Sequence, residues 1–192
     1  MKNTAYAEER YRKHYADRDS LSSSEFTVVM EGLLREYVCM GQCNMYIAVA
    51  KDSEIKQAIK TYLMDVCNQN FMSMKKILQD GGYDVPVSEQ NATSPDKVHD
   101  VQINAIDDQM IVVGQWFAAR SFMQLWDMGA INSQRTDIRD AFIQNFHRAN
   151  RWHVAFHDLA VSKGHLQKLP EISPTMTKMS KAGQKLKESL TP

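Results

Sequence analysis

The chain has 192 residues, 43% hydrophobic and 24% charged, which predicts one globular domain with enough chain to bury a sizeable core. Lys plus Arg and Asp plus Glu each number 23, so the formal charge is zero and the basic footprint of a nucleic-acid or anionic-membrane binder is missing. Three cysteines, Cys39, Cys43 and Cys67, form neither an even disulfide set nor a CxxC pair, and are expected as free thiols of a reducing compartment.

Residues 1–20 set Tyr6, Tyr11 and Tyr15 among many charges, and are expected to form an N-terminal arm. They are charged where a secretory signal needs an apolar core, so synthesis in the cytoplasm is expected. At Ser22 a capping box begins, because its hydroxyl can accept from the Glu25 amide while the Glu25 carboxylate reaches back to the Ser22 amide. The helix that follows extends to about residue 50. Phe26, Met30, Leu33, Tyr37, Gly41, Asn44 and Ala48 lie on its expected inner face, and Cys39 and Cys43 fall one turn apart on the outer side.

Lys51, Asp52 and Ser53 make a short turn, with Asp52 or Ser53 as the next N-cap. The second helix turns Ile55, Ile59, Tyr62, Leu63, Val66, Asn70, Ser73 and Ile77 inward and stops at Gly81-Gly82. The stretch YDVPVSEQNATSPDKVHDVQ then lacks helical periodicity and is far longer than a hairpin needs, but about twenty extended residues can cross a bundle from end to end.

From Ile106 to Ile131 the chain is apolar nearly all round. One face collects Ile106, Met110, Val113, Phe117, Ser121, Gln124 and Met128, which predicts the core side. The opposite face carries Ile111, Val112, Phe122 and Trp126, and is expected to be covered in a homo-oligomer. Gln109, Gln115, Arg120, Gln124 and Asp127 interrupt every run of about 18 residues, so no membrane span is expected. Ser133 or Thr136 is the expected cap of the last helix, about Asp137 to Lys163. That helix turns Ile138, Phe142, Phe146, Ala149, His153, Phe156 and Ala160 inward and ends at Gly164. Residues 170–192 read as a flexible basic tail.

Helices joined by short, long and short connections predict an all-α fold, a ferritin-like four-helix bundle over residues 21–169 with a long crossover between its second and third helices. The chain also resembles an uncharacterised helical-bundle family of spore-forming Bacilli, a domain of unknown function often labelled spore-coat-like. The resemblance rests on LSSSEF at 21–26, KDSEIKQAIK at 51–60, GGYDVPVS at 81–88, TDIRDAF at 136–142 and VSKGHLQKLPEISP at 161–174. It implies a ferritin-like fold, a sporulation setting and spore-coat proteins as partners, and it supplies no catalytic residues.

A di-iron centre, the first chemistry to test on such a fold, needs inward carboxylates on all four helices and two Glu-x-x-His pairs. Neither pair is present, and Glu31, Asp65, Asp107 and Asp108 fall on outer arcs. No bound iron, manganese or other cofactor is therefore expected. His153 and His157, one turn apart, could bind a metal from one helix, against the alternative of a core histidine satisfied by its neighbours. Two inward polar layers are expected, Asn44 with His153, and Tyr37, Asn70, Ser73, Gln124 and Asn145. They would serve either as a small-ligand pocket or to fix the packing register.

Cys39 and Cys43 suit packing in an oligomer or crosslinking between chains in an oxidising spore layer. No nucleophile, histidine and acid can be assembled from spacing. The expected function is therefore that of a non-enzymatic bundle acting through self-association or partner binding in sporulation. The alternative is a ferritin-like metal- or small-ligand-binding redox protein.

Overall fold

The structure is a computed structural model that describes residues 7–10, 20–85 and 105–167. The described residues are helical apart from turns and caps, with α1 spanning Ser23–Val49, α2 Ser53–Tyr62, α3 Asn68–Asp80, α4 Asp108–Asn132 and α5 Thr136–Ser162. A π-helical turn, Leu63–Cys67, joins α2 to α3 without a break, since Leu63 and Asn68 both keep helical backbone angles. The expected crossover beyond residue 85 and the basic tail lie outside the described residues, as does most of the arm, of which residues 7–10 are helical and exposed.

The helix ends form where the capping chemistry requires. Ser22 and Glu25 make the reciprocal capping box of α1, and Asp52 caps α2 by accepting from the Glu54 and Ile55 amides at 2.8 and 3.1 Å. Past α3, Gly82 takes a positive φ of 74°, which lets the Tyr83 amide donate back to the Leu78 carbonyl at 2.9 Å. The last helix departs from expectation. Arg135 is its N-cap without a side-chain bond, because the Ser133 hydroxyl donates to the Gly129 carbonyl of α4 instead.

Contacts at the two ends fix how the helices run. At one end the Asp108 carboxylate, opening α4, accepts from the Lys51 and Asp52 amides at 2.9 Å each, and Lys163 beyond α5 pairs with Asp52 at 2.8 Å and Glu54 at 2.7 Å. At the other end Glu25 accepts from the Gln134 and Arg135 amides at 2.8 Å each, and the Phe26 and Tyr83 rings lie 4.9 Å apart. The α3 exit and the α4 start are therefore at opposite ends of the bundle. No described helix is long and apolar enough to cross a membrane.

Two helices are turned about their axes relative to the sequence reading. On α4 the buried residues are Ile111, Val112, Gln115, Ala119, Phe122, Leu125, Trp126 and Gly129. Met110, Phe117 and Met128, expected inside, are 55%, 54% and 59% exposed. Ile111, Val112, Phe122 and Trp126 are consequently core residues of this chain and not an interface. The reason is packing. Gly129 lets the Phe142 ring approach so closely that a Cβ would sit 2.9 Å from it, and the Trp126 ring lies against Gly32 of α1, where a Cβ would meet Cζ3 at 2.5 Å. Gly129 thus marks the core face of α4, while Met110, Phe117 and Met128 lie outside.

The same correction applies to α1, where Val29, Leu33, Glu36, Cys39, Met40, Cys43 and Ile47 are buried and Gly41 and Ala48 are exposed.

Candidate functional site

The turned face of α1 carries Glu36, Cys39 and Cys43 into the core one after another, each 4% exposed or less. Opposite them stands the π-turn. Its wider winding delays the helix phase, so that Cys67, Met74 and Leu78 face inward with Asn70, where a regular helix would continue from Val66 and Asn70 to Ser73 and Ile77. The Cys39 and Cys67 sulfurs lie 3.4 Å apart, and all three cysteine sulfurs fall within 4.8 Å of one another. Gln115 of α4 reaches in and donates through Nε2 to the Cys43 sulfur at 3.6 Å.

A hydrogen-bonded relay extends from this group to α5. Asn70 Nδ2 donates to Glu36 Oε1 at 2.7 Å, Arg148 Nε donates to Asn70 Oδ1 at 2.8 Å, and Arg148 Nη2 donates to Asn145 Oδ1 at 2.7 Å. Glu36 Oε2, Tyr62 Oη, Gln115 Oε1 and Asn145 Nδ2 are buried without a hydrogen bond. Such groups are costly in a dry core, so their gathering here marks the place where the packing is least satisfied within the chain.

The electrostatics follow from burial and from the sulfurs themselves. Burial, aided by Cys39, pushes the Glu36 carboxyl well above the usual range, against the pull of Asn70, Cys67 and Arg148. Cys43 is drawn below the ordinary thiol value by hydrogen bonding from Cys39 and Cys67, while Cys39 and Cys67 are raised. The three thiols therefore titrate as a coupled group and not as separate residues.

One prediction concerns Glu36. Its folded value lies above 4.5, so its contribution to stability is fully present below 4.5 and is lost as pH rises through the folded value. Glu36→Gln keeps an acceptor for Asn70 and removes the titration. Urea unfolding from about pH 5 to about pH 8 should show the variant gaining on the wild type as pH rises, whereas parallel profiles would place Glu36 outside a dry core.

Of the expected inner polar residues, Asn70 and Asn145 are brought together through Arg148. Tyr37, Asn44 and Ser73 are half-buried, and Gln124 is exposed on the outer face of α4, because α4 is turned. No ligand pocket combining all six is formed. His153 stacks on Trp116 at 5.6 Å and His157 tilts against the same ring at 5.7 Å, with His157 Nδ1 3.2 Å from the Asp158 carboxylate. Burial, with His157 and Arg120 nearby, lowers the His153 pKa and favours its neutral form. Among the described residues the metal-compatible group is Cys39, Cys43 and Cys67, and neither histidine belongs to it.

Cys39 and Cys43 were expected on the outer side of α1 as oligomer or crosslinking residues, and Cys67 as a free thiol. All three are buried free thiols within the chain, which removes them from surface crosslinking. Sequence reasoning missed Glu36, Cys67 and Arg148. The available signal was the seam Val29, Leu33, Glu36, Met40, Cys43, Ile47, spaced alternately by four and three residues with one acid inside it. Outside this cluster, a groove of about 630 Å³ runs between α1 and α4, lined by Phe26, Met30, Leu34, Val38 and Phe122 among others, and Cys39 reaches its floor.

Comparison with known proteins agrees with the helical architecture. A candidate spore coat protein from Bacillus halodurans C-125, of known crystal structure, superposes with a TM-score of 0.68 at 17% identity, over 80% of this chain and 96% of that one. No curated protein matches the chain in sequence. The family model described as "Protein of unknown function (DUF3231)" matches residues 11–177, nearly the whole chain, and this protein therefore belongs to the DUF3231 family.

Proposed function

We propose that this protein is a non-enzymatic, ferritin-like helical bundle that acts in sporulation through self-association. The likeness in fold to a candidate spore coat protein supports the setting. The ferritin-like path is supported by the end contacts, since a chain leaving α3 beside Phe26 must reach Asp108 beside Lys51 at the far end.

The observation that carries the association is the outer stripe of α4. Met110, Phe117, Met128 and Ile131 are 55%, 54%, 59% and 71% exposed and recur on one side of the helix. Ser121 and Gln124, also exposed, sit between the two apolar ends. A stripe that is apolar at both ends and polar in the middle is complementary to itself when a second copy is laid antiparallel across it, as a two-fold dimer requires. The occupant is therefore a second copy of this chain, and the face opposite the one anticipated from sequence makes the contact.

Fractionation of sporulating cells with immunodetection tests the setting. Enrichment in the coat fraction is the expected result, and a protein confined to vegetative cytosol with a bound chromophore would contradict it.

A further inference from the structure

We propose that Cys39, Cys43 and Cys67 form a binding site for one thiophilic d10 cation, Zn(II) or Cu(I). The inference is independent of the association surface, because the cluster lies inside a single chain.

Geometry comes first. A tetrahedral zinc site with Zn–S bonds of about 2.3 Å sets its sulfurs about 3.8 Å apart. Here one sulfur pair is already at 3.4 Å and all three lie within 4.8 Å, so shifts of about an ångström at side-chain torsions close the site. Three thiolates select soft and borderline ions over magnesium, calcium or manganese, which prefer oxygen.

The surroundings are those of a supported ligand set. Cys39 and Cys43 stand one turn apart on α1, while Cys67 is delivered by the π-turn, a helix irregularity often found at functional sites. Glu36 is oriented through Oε1 by Asn70, itself held by Arg148, which leaves Oε2 buried and without a hydrogen bond. Charge also closes. Zn(II) with three thiolates carries one negative charge, which the Arg148 guanidinium at the end of the relay offsets. Cu(I) reaches the same balance if one thiol keeps its proton. The groove between α1 and α4, which the buried Cys39 helps to line, offers the route of entry.

Binding displaces protons. The ligating form of a thiol is the thiolate, so loading Zn(II) should release protons and binding should weaken in acid. A Cys39–Cys67 disulfide is the competing use of the same sulfurs. It would need an oxidant and closure from 3.4 Å to about 2.05 Å.

The test loads the full-length reduced protein anaerobically with Zn(II) alone, Cu(I) alone, or Co(II) as a spectroscopic substitute, followed by desalting and elemental analysis. The expected result is one Zn(II) or Cu(I) per chain and, with Co(II), an intense thiolate-to-metal band in the near ultraviolet. Cys39→Ala with Cys67→Ser should lose both, while His153→Ala should keep both. Retention of neither Zn(II) nor Cu(I) by the folded wild type, or absence of the Co(II) thiolate band, overturns the proposal without relying on any variant. So does undiminished binding in the double cysteine variant, or a Cys39–Cys67 disulfide in protein isolated with thiols trapped at lysis.

Discussion

Truncating Trp126 to alanine should cost about 4 kcal/mol of folding stability, among the larger effects of a single core change. Trp126 has no exposed surface, stacks between Phe122 and Phe142 at 5.8 and 5.9 Å, and covers Gly32 so closely that no Cβ fits there. Removing the indole would leave a cavity bounded by residues of α1, α4 and α5, which a rigid three-helix contact cannot close. Its Nε1 is buried without a partner, so the indole supports the fold through packing and not through a hydrogen bond. Denaturant unfolding of Trp126→Ala measures the loss. Had this tryptophan faced outward to an oligomer contact, stability at low concentration would barely change and only association would fall.

Glu25→Ala should cost about 3 kcal/mol, unusual for an acid in the first turn of a helix. An ordinary N-cap acid serves its own helix, whereas this one also ties α1 to the turn between α4 and α5. Oε2 accepts from the Ser22 amide and hydroxyl at 2.9 and 2.8 Å, and Oε1 accepts from the Gln134 and Arg135 amides at 2.8 Å each. Alanine would leave those amides without acceptors, and charge-assisted bonds to backbone N–H groups are individually strong.

Burial raises the Glu25 pKa, but the Arg135, Ser22 and Gln134 amides with the Ser22 hydroxyl outweigh it and hold the carboxylate below its usual range. The stabilisation is therefore present above 4.5 and is lost as pH falls through the depressed folded value, the opposite slope to that of Glu36. Glu25→Gln retains one acceptor oxygen and should lose less, and its unfolding should no longer carry this acid-side dependence. Equal stability of wild type and Glu25→Ala at neutral pH would refute the tie.

Caps and turns were legible because they are local chemistry. Ser22 with Glu25, Asp52, and Gly82 each act on neighbours within a few residues, and the structure places them as their side chains dictate. Helix phase was not legible on α1 and α4. Both helices are apolar over much of their circumference, so a wheel has no sharp maximum, and choosing the stripe without charge rejected the true one through Glu36.

On α4 the core seam is Val112, Gln115, Ala119, Phe122, Trp126 and Gly129, again spaced by three and four. Gly129 fits beneath the Phe142 ring of α5 and Trp126 covers Gly32 of α1, which only the partner helices reveal. The π-turn was hidden for a related reason. Nothing local in LMDVC announces the extra residue, yet it is the π-turn that brings Cys67 round to face Cys39. The candidate site was therefore visible in part, through Asn70 and Asn145, while its acid, its thiols and its arginine depended on long-range packing.

Sedimentation velocity over a concentration series, on the wild type and on Phe117→Glu combined with Met128→Glu, tests the central claim most directly. Both positions are more than half exposed, so the double variant should unfold at the same denaturant concentration as the wild type. Two charges placed in an apolar contact should nonetheless abolish it. The account predicts a wild-type dimer and a folded monomeric variant. A wild type that remains monomeric at every concentration, or a variant that dimerises as well as the wild type, would contradict the assignment of the outer stripe of α4 as the surface through which this protein acts.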